Sequence, residues 1–122
     1  ETKQNTGMTF VFAVNYGSRD EIVRAVRKYT IEAIRAGKSE EEIEALTEQA
    51  FAGYLDTAGM PDPDLVIRTS GEFRISNYLL WQSAYAEYYI TPVLWPDFTK
   101  EELLKAIDSF NSRERRFGGR KK

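Results

Sequence analysis

Two arginines, a serine and two glutamates lie close together in the segment DLVIRTSGEFRISNYLLWQSAYAEYYITPVLW, residues 64–95. Arg68 ends an apolar run, Arg74 follows a short loop, and Ser76 comes two residues later. Paired guanidinium groups bind phosphate oxygens well, and a serine hydroxyl adds another donor. Glu87 could then hold the cation that accompanies a diphosphate, because Mg²⁺ prefers one or two carboxylates plus phosphate oxygens. The pattern predicts an anion site.

Ion pairing offers a second explanation for the same charges. Arg68 and Arg74 could pair with Glu72 or Glu87 instead of a ligand, since ion-pair networks are common in proteins. Glu87 lies within the otherwise apolar run AYAEYY, where a carboxylate is costly unless it is paired or bound to a metal. A bound cation and a neighbouring arginine are therefore alternative partners for Glu87.

Composition excludes several kinds of catalytic site. The 122 residues contain no cysteine and no histidine, which removes thiolate nucleophiles, disulfides, zinc ribbons and imidazole bases. Chemistry in this chain must depend on carboxylates, arginines, backbone groups and metal. The net charge of −2 gives no general attraction to nucleic acid. A basic cluster near the end of the sequence has no interleaved base-reading groups; it comprises Arg113, Arg115, Arg116, Arg120, Lys121 and Lys122. We expect no nucleic-acid partner and interpret the cluster as a solvated helix end or a flexible arm that reaches a diphosphate.

No window of 18 apolar residues and no secretory apolar segment occurs, so we expect a cytoplasmic protein without a membrane span. The chain starts with Glu1, and an apolar run begins as early as Met8. We therefore expect a single domain over residues 1–122 that is the carboxyl-terminal part of a larger domain.

The first half of the sequence predicts one strand and two helices. Residues 8–14, MTFVFAV, have the pattern of a strand buried on both faces. A helix should begin near residue 18 and end at Gly37, and a second should carry Ile43, Leu46, Ala50 and Tyr54. Two capping-box pairs mark the starts of these helices, Ser18 with Glu21 and Ser39 with Glu42.

The second half predicts a strand at Leu65–Arg68, a helix over 78–88 capped by Asn77, a strand near 89–94 and a helix over 99–116. Strands that alternate with helices predict an α/β fold with a mostly parallel sheet covered by helices. Ligands bind such sheets at the carboxyl ends of the strands. The polar segments 15–19 and 68–74 should therefore share one rim.

The block RTSGEFRISN (68–77), with NYGSRDEI before it and NSRERRFGG after it, closely resembles bacterial undecaprenyl diphosphate synthases. These enzymes are cis-prenyltransferases, also called Z-type isoprenyl diphosphate synthases, and the resemblance spans residues 8–119. It implies a homodimeric, Mg²⁺-dependent transferase that elongates farnesyl diphosphate with isopentenyl diphosphate to make the lipid carrier of cell-wall sugars. The lipid product implies peripheral contact with a membrane.

The resemblance also implies roles for individual residues. Arg68, Arg74 and Ser76 are expected to bind isopentenyl diphosphate, with the backbone of Ile75 adjoining. Glu87 is expected to bind Mg²⁺, and Glu72 is expected to serve catalysis by orienting the arginines. Residues 116–119, RFGG, resemble a segment that approaches the partner subunit's site. The aromatic-rich helix predicted over residues 78–88 would lie at the dimer interface.

The sequence departs from the family in one large respect. It contains neither the Asp-Gly-Asn-Gly-Arg loop that holds the allylic diphosphate nor the Asn-Trp segment implicated in proton removal. The chain therefore resembles the carboxyl-terminal half of a partial cis-prenyltransferase-type domain, and we expect it to be inactive alone. A noncatalytic subunit of the same fold, which binds diphosphate or activates a partner, is the alternative.

Overall fold

A computed structural model of the protein describes residues 4–113. Within that part of the chain, helices precede a pair of strands and a last helix follows them. The elements are α1 (Ser18–Ala36), α2 (Glu40–Glu44), α3 (Glu48–Ala52), β1 (Leu65–Arg68), β2 (Glu87–Ile90), a 3-10 turn (Trp95–Asp97) and α4 (Lys100–Asn111). Among these helices, none combines the length and hydropathy that a membrane crossing requires.

The two strands run parallel and form one sheet. Leu65 pairs with Glu87 and Arg68 pairs with Ile90, and α4 contacts β2. The predicted α/β class with parallel strands and helices is confirmed, and so are the predicted bounds of β1. The second strand begins at Glu87, earlier than predicted, because its residues pair with β1.

Helix α1 provides the platform on which the first half packs. Its apolar face buries Ala25 against Phe51 of α3 and Leu55, and Trp81 packs against the same cluster, with its ring centroid 4.9 Å from that of Phe51. The helix ends as predicted at Gly37, whose left-handed φ of 65° suits a residue without a Cβ.

The predicted capping box of Ser39 and Glu42 is confirmed, with both reciprocal hydrogen bonds formed. The single helix expected after it is wrong, because the chain forms α2 and then restarts as α3. Thr47 causes the restart: its hydroxyl oxygen accepts a 3.1 Å hydrogen bond from the N–H of Ala50. Threonine favours such a cap over a helix interior because its side chain competes for backbone donors.

The strand predicted over residues 8–14 is absent. The segment has no ladder, and its apolar side chains are exposed, with Met8 at 89% and Phe12 at 77% of their full areas. The physical reason is that residues 4–113 provide no strand beside it. Met8, Phe10 and Phe12 all lie open to solvent.

The helix predicted over residues 78–88 is also wrong, since this segment folds into turns and then enters β2. Asn77 does not cap it. The left-handed backbone of Asn77, at φ 59°, and of Leu79, at φ 47°, is incompatible with a helix start. Helix α4 follows Thr99 as predicted and ends at Asn111, and the last residues of its predicted span, 114–116, lie outside the described residues.

Candidate functional site

The loop after β1 is anchored on the segment that follows β2. The carbonyl of Arg68 accepts a 2.9 Å hydrogen bond from the N–H of Thr91. The N–H groups of Ser70 and Gly71 donate to the carbonyls of Val93 and Thr91, each at 2.8 Å. Ser70 and Gly71 both have a φ of 66°, so the chain turns sharply at the end of the strand. These bonds fix the backbone from which Arg68 projects.

Two of the predicted ligands lie in direct contact. Arg68 donates a 3.3 Å hydrogen bond from Nη2 to the hydroxyl oxygen of Ser76. Because the guanidinium supplies the hydrogen, the O–H of Ser76 can still donate to a ligand. Arg68, Arg74 and Ile75 line one cleft of about 390 Å³ at the carboxyl end of β1. The structure thus brings together four of the residues that the sequence singled out.

Arg74 is ion-paired with Glu72, which accepts a hydrogen bond from Nη1 of Arg74. Both side chains are exposed, at 59% and 41% of their full areas. Exposed pairs contribute about 1 kcal/mol or less, whereas hydrogen bonds to charged groups contribute roughly 1.5–3 kcal/mol. A diphosphate could therefore displace Glu72 from Arg74. The ion pair that was the alternative to ligand binding is therefore observed for Arg74. Glu72 was expected to orient both arginines, and the ion pair that it forms is with Arg74.

An apolar cavity adjoins the cleft. It has a volume of about 530 Å³, shares both guanidiniums with the cleft and is otherwise apolar or aromatic. Its lining comprises Arg68, Phe73, Arg74, Ile75, Tyr88 and Ile90. Charged donors beside an apolar wall suit an amphiphile with an anionic head and a short hydrocarbon tail.

Glu87 lies at the opposite end of the strand pair from Arg68. It is the register partner of Leu65, three positions before Arg68, so it is displaced roughly 10 Å along the strand from Arg68. Its Oε2 accepts a 2.8 Å hydrogen bond from Nη1 of Arg113, so its arginine partner is Arg113 and not the alternative of Arg68 or Arg74. Arg113 is the first member of the basic cluster, and the RFGG segment at 116–119 lies outside the described residues.

Within residues 4–113 no three acidic side chains gather in a way that could hold a metal ion. Glu87 therefore offers a cation one carboxylate, already paired with Arg113. This donor fits Mg²⁺ only as one contribution to a shell that phosphate oxygens and further donors complete.

The start of α1 lies beside the segment that carries Ser76. The N–H of Ser18 donates to the carbonyl of Asn77 at 2.8 Å, and the N–H of Arg19 donates to Oδ1 of Asn77 at 2.9 Å. The N–H of Leu80 donates to the hydroxyl oxygen of Ser18 at 3.0 Å. Asn77 thus contacts the start of α1, and it does not begin a helix of its own, since the residues after it form turns.

Glu21 has a role that the sequence analysis missed. It was predicted to close a capping box with Ser18, but it is 1% exposed and accepts hydrogen bonds from Tyr16, the N–H of Asp56 and the amide of Gln82. Burial, together with the hydrogen bond to Glu21, raises the pKa of Tyr16 above its usual value. No local pattern announces this network, because its partners lie up to 61 residues away.

Known proteins match the chain over nearly its whole length. The sequence model of the Prenyltransf family, described as undecaprenyl diphosphate synthase, matches residues 1–118. An isoprenyl transferase of Bacillus thuringiensis is 55% identical over 119 residues, which are 98% of this chain and 45% of that protein. An isoprenyl transferase of Streptococcus pyogenes is 55% identical over 122 residues, covering 97% of this chain and 48% of the relative. The chain spans about half the length of these curated relatives.

A solved structure gives the same result. Lavandulyl diphosphate synthase from Lavandula x intermedia, crystallised in complex with dimethylallyl diphosphate, superposes with a TM-score of 0.86 at 41% identity. The superposition covers 96% of this chain and 49% of the plant enzyme. Sequence and fold agree, and the chain belongs to the undecaprenyl diphosphate synthase family of prenyltransferases.

Proposed function

We propose that the cleft at the carboxyl end of β1 binds the diphosphate of isopentenyl diphosphate. The observation that carries this proposal is that Arg68 and Arg74 line both the cleft and the adjoining apolar cavity, while Ser76 is hydrogen-bonded to Arg68. The arginines would neutralise the phosphate oxygens, Ser76 would donate its O–H, and Ile75 would line the cleft beside them. The five-carbon tail would lie against Phe73, one of the apolar residues of the cavity.

The reaction that this site serves is the condensation of isopentenyl diphosphate with farnesyl diphosphate. A carbon–carbon bond forms between the two substrates, the allylic diphosphate departs, and one proton is lost from the isopentenyl unit. The contribution of this chain is to hold the isopentenyl unit in place, so that two substrates react as if they were one molecule. Glu72 would serve this step by orienting Arg74, with which it is paired.

Magnesium would bind with the help of Glu87. One carboxylate suits Mg²⁺ when phosphate oxygens and donors from outside residues 4–113 supply its other ligands. When bound, the ion supplies positive charge that stabilises a departing diphosphate. The ion pair with Arg113 would be exchanged for the cation, and the exposed part of the Glu87 side chain gives access for that exchange.

The whole protein would be a cytoplasmic homodimer that makes undecaprenyl diphosphate for the cell-wall lipid carrier and touches the membrane through its product. Because the chain spans about half of its relatives, the allylic site would come from the other half. We propose that this chain alone makes no polyprenyl product.

Fusion of this chain to the amino-terminal half of the Bacillus thuringiensis relative tests the proposal. With farnesyl diphosphate and radiolabelled isopentenyl diphosphate, the fused protein is expected to make polyprenyl product and the unfused chain none. Arg68→Ala in the fused protein is expected to raise the KM for isopentenyl diphosphate by about tenfold or more. Product from the unfused chain, or unchanged KM and kcat after the substitution, would refute the proposal. A fused protein that binds isopentenyl diphosphate without turnover would favour the noncatalytic subunit.

A further inference from the structure

The segment that carries Ser76 is attached to the first turn of α1 rather than to the sheet. Asn77 accepts two hydrogen bonds there, from the N–H of Ser18 to its carbonyl and from the N–H of Arg19 to its side-chain oxygen. Leu80 is tied to the hydroxyl of Ser18, and Gln82 is tied to the buried carboxylate of Glu21. Three residues of α1 and three of this segment therefore interlock immediately after Ser76.

The backbone at this point is held in an uncommon conformation. Ser76 and Asn77 have φ values of 53° and 59°, in the left-handed region that asparagine tolerates better than most residues. A side chain at Gly17 would place its Cβ 2.9 Å from Nδ2 of Asn77, closer than such atoms approach, so glycine makes room for the amide. Such backbone persists only where surrounding contacts hold it in place.

We infer that Asn77 is a positioning residue of the diphosphate site: its side chain caps α1 and thereby fixes Ser76 against Arg68. This inference rests on the proposed function. Helix α1 then acts as the template for one side of the cleft, while the bonds from Ser70 and Gly71 to the segment after β2 fix the other side. Without the Asn77 cap, the segment would sample other arrangements, and the affinity would fall with the fraction of molecules that are competent to bind.

The test is a pair of cap substitutions in the 122-residue chain, with isopentenyl diphosphate as the probe in calorimetry. Asn77→Gly removes the side-chain acceptor and tolerates the positive φ, so only the cap is lost. Thr47→Gly is the matched control, because Thr47 caps α3 through one hydrogen bond to the N–H of Ala50. We expect Asn77→Gly to weaken binding about fivefold, the usual effect of one hydrogen bond, and Thr47→Gly to leave it unchanged.

Two further measurements separate positioning from a general loss of stability. Asn77→Asp keeps an acceptor for the N–H of Arg19 and suits the positive end of α1, so it should recover most of the affinity. The guanidinium resonance of Arg68, which is hydrogen-bonded to Ser76 but distant from Asn77 in sequence, should shift in Asn77→Gly without ligand and remain in place in Thr47→Gly.

The outcomes are distinct for the two proposals. No saturable binding by the wild-type chain would refute the proposed function, and the Arg68 resonance would still test whether Asn77 holds Ser76 against Arg68. Equal affinities of wild type and Asn77→Gly, or equal losses in Asn77→Gly and Thr47→Gly, would overturn the role of Asn77. An unmoved Arg68 resonance in Asn77→Gly would do the same.

Discussion

Two apolar runs with the same strand pattern adopt different structures in this chain. The run MTFVFAV at 8–14 and the run LVIR at Leu65–Arg68 both have the pattern of strands in a parallel sheet. The second pairs residue by residue with β2. The first forms no ladder and has exposed side chains, and no strand within the described part of the chain lies beside it.

An apolar strand pattern therefore favours a strand, but a strand forms only where a second strand can pair with it. Hydrogen bonds from Glu87 to Asp64 and from Thr91 to Arg68 frame the β1–β2 ladder at its two ends, each at 2.9 Å. The run at 8–14 has the composition of a strand, but no strand among residues 4–113 pairs with it. The cleft forms at the end of the paired run.

The largest expected effect comes from placing proline in each region. Residues two apart on a strand direct their N–H groups to the same side, so Tyr89, between Glu87 and Thr91, donates into the ladder. Tyr89→Pro should lower the free energy of unfolding by about 3 kcal/mol or more, through the lost donor and the lost ring packing. Phe12→Pro, which also replaces an aromatic residue by proline, should change it by less than about 0.5 kcal/mol.

Urea unfolding of the two variants measures these free energies. Equal losses of unfolding free energy in both variants would contradict the difference between the two runs, because they would mean that residues 8–14 form a stabilising ladder in solution.

The next effect concerns the side chain that ends the paired run. Arg68→Ala should weaken binding of isopentenyl diphosphate to this chain by about tenfold or more, since a hydrogen bond to a charged group is lost. Arg24→Ala removes an equal charge from the ion pair with Asp20 and Asp56 and should alter affinity by less than about twofold, because distant charges are screened. Calorimetry on both variants checks the difference. A similar loss of affinity in both variants would mean that binding depends on general electrostatic attraction and not on a specific site.

The smallest effect concerns the ion pair beside the unpaired run. Asp56 and Arg24 line a cavity of about 430 Å³ together with Phe12, and two hydrogen bonds from the Arg24 guanidinium lower the pKa of the Asp56 carboxyl. Because the pKa of Asp56 is lowered in the folded state, the ion pair stabilises the fold at pH values above about 3.9, the ordinary pKa of aspartate. That stability is lost as the pH falls through the folded-state pKa. Because the pair is half-exposed, we expect an effect within about 1 kcal/mol.

Comparison of the wild-type chain with Asp56→Asn in urea at pH 6 and pH 3 checks this sign. The two proteins should differ at pH 6 and converge at pH 3. A difference that grows in acid would contradict the assignment.

Local signals in the sequence predicted much of the fold. The bounds of β1, the end of α1 at Gly37 and the capping box of Ser39 follow from short-range chemistry, and the structure confirms them. The cluster of Arg68, Arg74, Ile75 and Ser76 was predictable for the same reason, since these residues lie within one loop of one strand.

The errors arise where a distant partner outweighs a local tendency. Ser18 and Glu21 have capping-box spacing, but their side chains bond Leu80 and Gln82, which no local pattern reveals. The residues after Asn77 have helical spacing of apolar side chains, yet Asn77 is committed to α1 and Glu87 to the ladder with β1. Tertiary contacts override propensity at each of these positions.

The central claim is that the end of β1 grips a diphosphate, and an NMR titration of the labelled chain with isopentenyl diphosphate tests it most directly. Isopentenyl alcohol, which carries the same tail without phosphate, is the control. We expect saturable shifts in the amides of residues 68–77 and in the guanidinium signals of Arg68 and Arg74, with no such shifts for the alcohol. Shifts confined to another part of the molecule, or the same response to the alcohol, would contradict the claim.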